Sequence, residues 1–177
     1  MADALDRLAP VQETGALDGL GMAELRRRRN TLQEGELALS YVRRQVQVRL
    51  DIVLDELAHR RAGAPARDTR ELVAELPKIL ADRGGGTARG AFNEVAIPPD
   101  AVEAVVADLD RILDTAALGS LEGKSDAELG LAADEFGAIE RRVSQRRRLL
   151  HTAIDALQEE MLRRYKSGEA SVDALLP

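Results

Sequence analysis

The chain has 177 residues, of which 45% are hydrophobic and 2% aromatic, and it contains no cysteine or tryptophan. This length suits one domain, and an aliphatic, aromatic-poor composition favours packed helices over a β-sandwich or barrel. The absence of cysteine excludes disulfide bonds, thiolate metal sites and thiol nucleophiles. A net charge of −6 argues against direct DNA binding, although arginine runs occur at 26–29 and 146–148. No stretch is apolar enough to span a membrane, and the start of the chain does not resemble a leader, so we expect a cytoplasmic protein.

The first predicted element is a long helix from about residue 22 to 62. Apolar side chains recur in it every seven residues, at Leu25, Leu32, Leu39, Val46 and Val53. Heptad spacing over several turns is typical of coiled-coil packing. The positions three residues after this seam include Arg28, Arg49 and Glu56, which predicts one strong seam instead of the two of a standard zipper. Gly63 and Pro65 then end the helix.

The segment that follows has a weaker pattern. Residues 68–82 are helix-like but contain Pro77, residues 84–90 form a glycine-rich loop, and residues 98–100 open a third helix that runs to about residue 117. The apolar face of this third helix comprises Val102, Val105, Val106, Leu109, Ile112 and Leu113. We expect this face to pack against the long helices.

A second long helix is predicted from about residue 125 to 166, beginning at a capping box formed by Ser125 and Glu128. Its heptad seam comprises Leu129, Phe136, Val143, Leu150 and Leu157. The connection is long enough for the two long helices to run antiparallel. The sequence therefore predicts an all-α fold, an antiparallel two-helix coiled coil with shorter helices in the connection. We assign one helical domain to residues 1–177, with the first repeat helix in 17–62, the connection in 68–117 and the second repeat helix in 121–166.

The two long helices are copies of one element. Shifting the chain by 104 residues aligns 17–25 with 121–129 without a gap, and identities continue along the helix. Residues of the first copy that recur identically in the second include Leu17, Gly19, Ala23, Glu24, Leu25, Glu36, Ser40, Arg43, Arg44, Asp51 and Arg60. Neighbouring polar-face positions differ, since Leu37 corresponds to Arg141 and Tyr41 to Gln145. Retention of a polar set beside diverged neighbours indicates that the set has a function.

Five polar side chains of each copy lie on one flank of the helix, and we call each set a ladder. The first ladder is Glu36, Ser40, Arg43, Gln47 and Asp51. The second ladder is Glu140, Ser144, Arg147, His151 and Asp155. At 3.6 residues per turn each ladder occupies a stripe about 80° wide and about 22 Å long, beside the heptad seam. In an antiparallel pair the ladders should meet in one groove, with Glu36 near Asp155 and Glu140 near Asp51.

The ladders contain the groups that recognise guanine nucleotides. Arginine can donate two hydrogen bonds to O6 and N7 of guanine, and carboxylates can accept from its N1 and N2 hydrogens. Serine, glutamine or neutral histidine can meet phosphate or ribose oxygens. Two related half-sites suit a ligand with two equivalent halves.

The pattern E-x3-S-x2-R-x3-Q-x3-D, complete in the first ladder, resembles the ligand signature of the RsiG-type cyclic-di-GMP-dependent anti-sigma factors of actinobacteria. Members of that family carry it once in each of two antiparallel coiled-coil helices, and the resemblance covers about residues 17 to 166. It implies that a partly intercalated dimer of cyclic-di-GMP, as regulatory ligand, sits across the ten ladder residues. It also implies that the liganded protein holds a WhiG-like, flagellar-type sigma factor, which controls sporulation genes, away from RNA polymerase. The departure from the pattern is His151, which stands where the family has glutamine.

Further expectations concern mechanism and alternatives. We expect ligand phosphates and the two ladder arginines to neutralise a groove that is otherwise charged and splayed, which would complete the sigma-binding surface. Because both motifs lie in one chain, we expect a one-to-one complex. No nucleophile has an adjacent base, no metal-ligand pattern occurs and residues 119–125 have the wrong spacing for a phosphate loop, so we expect neither an enzyme nor a metal site. The alternative is a constitutive coiled-coil scaffold or adaptor whose ladders only form salt bridges between the helices.

Overall fold

The computed structural model describes residues 17–83, 99–113 and 121–168, together with Leu5, Leu8 and Leu118. These ranges contain no strand and four α-helices, which are α1 (Met22–Arg61), α2 (Thr69–Arg83), α3 (Pro99–Ile112) and α4 (Asp126–Ser167). A short 3-10 helix, Leu121–Gly123, precedes α4. The observed bounds of the two long helices agree with the predicted ones within one residue. The predicted glycine-rich loop at 84–90 and the last turn of the third helix at 114–117 lie outside the described residues.

The long helices α1 and α4 pack side by side and run in opposite directions. Near the start of α1, Arg26 donates a 2.6 Å hydrogen bond to the hydroxyl of Tyr165, which lies near the end of α4. At the other end, Arg60 of α1 contacts Asp126 at the start of α4, at 3.1 Å. The predicted all-α hairpin is confirmed.

The heptad seams form the core of this hairpin. All ten predicted seam residues are buried, and none exposes more than 8% of its surface. Burial of an aliphatic side chain of this size contributes about 1.5–3 kcal/mol. The seams therefore supply a large part of the free energy that holds α1 and α4 together.

A second buried row runs along α1, and here the prediction of a single seam is wrong. The row three residues after the seam is also buried at Gly35, Val42, Arg49 and Glu56. The connecting helices explain why charged residues occur in it, because Arg49 Nη2 pairs with Asp110 of α3 at 2.7 Å. Apolar periodicity cannot detect a buried charge whose partner comes from another element.

The first end of the hairpin is closed by Arg60, near the C-terminus of α1. Its guanidinium donates to the carbonyl oxygens of Leu121 and Lys124, at 2.8 and 2.7 Å, in the turn that precedes α4. Its Nε also pairs with Glu56 at 2.6 Å, and the Glu56 side chain is fully buried. Arg60 thus fixes the start of one repeat against the end of the other.

The same device closes the opposite end. Arg164, which is equivalent to Arg60, donates to the carbonyl oxygens of Leu17 and Leu20 in the turn before α1. Its Nε pairs with Glu160 at 2.6 Å. We call each arginine, with its glutamate and the two carbonyl groups that it binds, a clamp. Each residue of the second clamp lies 104 positions from its counterpart in the first. The hairpin therefore has an approximate twofold axis that relates the two copies.

Local signals set the ends of the helices. The predicted capping box is confirmed, since the Ser125 hydroxyl accepts from the backbone N–H of Glu128 while the Glu128 carboxylate accepts from the backbone N–H of Ser125. Gly63 and Gly168 have φ of +85° and +77° after the last turns of α1 and α4. Only glycine adopts this left-handed conformation without a steric penalty, so both helices end there.

A polar flank with two related clusters

The first cluster of the ladders is built around Glu36, whose carboxylate is reached from both long helices. Its Oε1 accepts hydrogen bonds from Ser40 of α1 at 2.8 Å and from Nε and Nη2 of Arg147 of α4 at 3.0 and 2.6 Å. His151 Nε2 lies 3.4 Å from the same oxygen. The Glu36 and Arg147 side chains are largely buried, with 15% and 23% of their surfaces exposed.

The second cluster repeats the first with the helices exchanged. Oε1 of Glu140 accepts from Ser144 of α4 at 2.8 Å and from Nε of Arg43 of α1 at 3.1 Å. Because Glu140 is paired with residue 43 of α1, it is displaced from Glu36 by seven residues, or about 10 Å along the groove. The glutamate, serine and arginine positions of the two ladders therefore meet between the helices, as two clusters related by the twofold axis.

The predicted pairing of glutamate with aspartate across the groove is wrong. Glu36 is paired with Arg147, and Asp155 lies eight residues further along α4, which is about 12 Å at 1.5 Å per residue. By the same symmetry Asp51 lies beyond the reach of Glu140. The sequence predicted the flank on which the helices meet but not the axial register, and the register decides which charges meet.

The far ends of the two ladders have different surroundings. Gln47 and Asp51 on α1 are half-buried, whereas His151 and Asp155 on α4 are exposed. The ladders are therefore symmetric at their glutamate, serine and arginine positions and asymmetric at their last two positions.

The carboxylates stay ionised because of their arginine partners. Burial by itself raises the pKa of Glu36, but the hydrogen bonds from Arg147 and Ser40 and the charge of Arg147 outweigh it, so the pKa lies below its ordinary value. Glu140 behaves alike, since burial raises its pKa and the hydrogen bonds from Ser144 and Arg43 lower it further than burial raises it. The protein's own arginines thus pair directly with the two glutamates across the helices.

One oxygen of each glutamate remains available as an acceptor. Every hydrogen bond that described residues make to Glu36 or Glu140 goes to Oε1. Neither Oε2 is among the buried side-chain atoms that lack a partner. The second oxygen of both carboxylates can therefore accept hydrogen bonds from a ligand.

Helix α3 packs against the opposite flank of the hairpin. Arg49 and Glu56, which face α3 and the start of the connection, lie about 140° or more around α1 from Glu36. A cavity of about 340 Å³ between α3 and α4 also lies there, with Asp108 and Arg142 among its lining residues. Within the described ranges, α3 thus lies away from the ladder flank.

Sequence analysis missed one charge close to the site. The positive charge of Arg141 contributes to the low pKa of Glu140, although Arg141 is not a ladder residue. Its position directly after the glutamate is the signal that could have revealed it. The arginine run at 26–29 is engaged within the protein, since Arg26 bonds Tyr165, Arg27 and Arg28 bond Glu24 and Arg29 bonds Asn30.

Other kinds of site are not found in the part of the chain that the structure describes. Its residues contain no group of three histidine, cysteine, aspartate or glutamate side chains that could hold a metal ion. No described helix combines the length and apolarity that a membrane crossing requires.

The structure is thus that of a coiled-coil protein, an antiparallel helical hairpin whose internal duplication places two related polar clusters on one flank. The family model described as RsiG-like matches residues 11–80 and 115–177. The chain therefore belongs to the RsiG-like family, a family of regulators that act as anti-sigma factors, and a sigma factor is the kind of partner that this membership implies. No curated protein matches the chain.

Proposed function

We propose that this protein binds cyclic-di-GMP across its two ladders and, with the ligand bound, sequesters a WhiG-like, flagellar-type sigma factor that controls sporulation genes. The observation that carries the proposal is the pair of Glu–Ser–Arg clusters that the twofold axis relates on one flank. The residues proposed to contact the ligand are Glu36, Ser40, Arg43, Gln47, Asp51, Glu140, Ser144, Arg147, His151 and Asp155.

The chemistry of the clusters suits guanine. The available Oε2 of Glu36 and of Glu140 can accept from the N1 and N2 hydrogens of a guanine base. Arg147 and Arg43 then lie beside the same carboxylates, where a guanidinium can donate to O6 and N7 of a stacked guanine. Two half-sites about 10 Å apart along the groove suit a ligand that carries two guanines.

The ligand would change the distance between the two long helices and the contacts that hold them together. The present cross-helix pairs join Glu36 to Arg147 and Glu140 to Arg43 directly. Guanines between the helices would replace part of these contacts with contacts bridged by the ligand. The ligand-bridged state differs from the directly paired state. If a sigma factor binds the bridged state more tightly than the directly paired one, its binding depends on the ligand.

A constitutive scaffold is the second candidate function, and the cross-helix pairs favour it. Partly exposed ion pairs of this kind contribute only about 0–1 kcal/mol each. Salt bridging alone is therefore a weak reason for two matched ladders beside fully buried seams. A scaffold would bind its partner equally well with and without the dinucleotide.

Calorimetric titration of cyclic-di-GMP, with and without the WhiG-like sigma factor encoded in the same genome, tests the proposal. We expect binding by the wild-type protein and its loss in the double variant Arg43→Ala, Arg147→Ala. The control is Arg27→Ala, Arg163→Ala, which removes the same charge from arginines that pair with glutamates three residues earlier in their own helices. No heat with the wild-type protein in either condition would leave the scaffold as the better account.

A further inference from the structure

The ladders alone do not balance the charge of a dinucleotide. Their four carboxylates, on Glu36, Asp51, Glu140 and Asp155, outnumber their two arginines, so with His151 neutral the ladders carry two net negative charges. The guanidinium groups of both arginines are already engaged by glutamates. Cyclic-di-GMP brings one negative charge on each of two phosphodiesters. Favourable binding of this anion requires cations from outside the ladders.

Arg44 and Arg148 are placed to supply them. They directly follow the ladder arginines Arg43 and Arg147, and both side chains are exposed. Each follows the glutamate of its own helix by eight residues, so it projects about 80° from the direction of that glutamate, at the outer edge of the ladder stripe. The groove is thus bordered by one exposed arginine on each helix.

The cross-helix register places each border arginine beside the other helix's cluster. Arg147 is paired with Glu36, so Arg148, the next residue, lies within about 1.5 Å of the same axial level. Arg44 stands in the same relation to Glu140. Each half-site therefore has one arginine that holds the glutamate and a second that remains at the rim.

The two border arginines are also identical, while the other exposed positions alongside the ladders differ between the two helices. Leu37 and Tyr41 of α1 correspond to Arg141 and Gln145 of α4, and all four are exposed. Surface identity between the copies is therefore not general. Between residues 36 and 60, the exposed position of α1 that is identical in α4 is Arg44, which borders the groove.

We infer that Arg44 and Arg148 bind the phosphate groups of the dinucleotide, while Arg43 and Arg147 hold the glutamates and contact guanine. This inference rests on the proposed function, since it assigns the phosphate contacts of the same site. It predicts two separable kinds of arginine: the rim pair acts through charge and the ladder pair through geometry.

The test measures cyclic-di-GMP affinity by calorimetry, with and without the WhiG-like sigma factor, at low and high NaCl. In Arg44→Gln, Arg148→Gln the affinity falls at least tenfold, which is about 1.4 kcal/mol, and its salt dependence becomes weaker. Arg44→Lys, Arg148→Lys recovers most of the affinity, because phosphate binding needs a cation more than it needs the arginine fork. The melting temperature stays that of the wild-type protein, since both side chains are exposed.

The control Arg27→Gln, Arg163→Gln changes net charge equally and is expected to bind like the wild-type protein. Affinity and salt dependence that are the same in the Arg44, Arg148 variant and in this control would overturn the inference and leave the proposed function standing. Absence of binding by the wild-type protein itself would overturn the proposed function, and the inference with it.

Discussion

Glu36 and Glu140 join the long helices through charges that depend on pH. Their pKa values in the folded protein lie below the ordinary value of 4.5, because arginine and serine hydrogen bonds outweigh burial. A carboxylate with a lowered folded pKa stabilises the protein fully above pH 4.5, and this contribution is lost as the pH falls through the lowered value. The cross-helix pairs should therefore stabilise the hairpin at neutral pH and cease to do so in acid.

We predict that Glu36→Gln, Glu140→Gln is less stable than the wild-type protein at pH 7, by up to about 2 kcal/mol for the two partly exposed pairs. The difference should shrink as the pH is lowered below 4.5, because the wild-type carboxylates then become protonated as well. Urea unfolding followed by circular dichroism at pH 7 and at pH 3 measures both values. Exposed Glu34 and Glu135 provide the control variant. A difference that does not depend on pH would contradict the assignment.

The clamps at the two ends of the hairpin differ in how deeply their carboxylates lie. Glu56 beside Arg60 has a fully buried side chain, and Arg67 Nη1 lies 3.6 Å from its Oε2, beyond hydrogen-bond distance. Glu160 beside Arg164 keeps 10% of its side chain exposed and has a second partner in Arg163. Loss of Arg60 thus leaves a fully buried carboxylate with the more distant Arg67 as its cation, whereas loss of Arg164 leaves a carboxylate that Arg163 still binds at 2.8 Å.

We therefore predict that Arg60→Ala destabilises the protein by about 3–5 kcal/mol and Arg164→Ala by about 1–3 kcal/mol. The measurement is the free energy of unfolding in urea. Addition of Glu56→Gln to Arg60→Ala should recover part of the loss, because it removes the charge that was left behind. Equal losses at the two ends, or no recovery in the double variant, would show that the carboxylates do not cause the difference.

The elements of this fold are predicted well where the sequence pattern that encodes them is local or periodic. The seven-residue period identified the core of the hairpin, and the capping box identified the start of α4. Arg49 and Glu56 escaped notice because their burial depends on partners in the connection, which no period within α1 encodes. The recurrence of Glu56 as Glu160, in register with the recurring Arg60, was the available signal for the clamps.

The candidate site was predictable as a set of residues but not as a set of contacts. Recurrence at an offset of 104 selected the ladders, and helical geometry placed them on one flank. The choice of Arg147 as the partner of Glu36 depends on which layers of the two seams meet. That is decided by packing along the whole hairpin and by the clamps at its ends, which the heptad pattern alone does not specify.

At the scale of the whole molecule, duplication within the chain determines how many chains the site requires. Each half-site takes its glutamate and serine from one long helix and its arginine from the other. Both half-sites are completed by α1 and α4 of the same chain, so a second copy is not needed to assemble the groove.

We therefore predict a complex of one chain with one WhiG-like sigma factor in the presence of cyclic-di-GMP. Light scattering coupled to size-exclusion chromatography gives the mass of the complex, and omission of the dinucleotide should separate the partners. Arg43→Ala, Arg147→Ala should stay dissociated even with the dinucleotide, whereas the Arg27, Arg163 control should still assemble. A complex with two copies of the chain would mean that the groove is completed between molecules, and the intramolecular pairing of Glu36 with Arg147 would then not be the arrangement that binds the ligand.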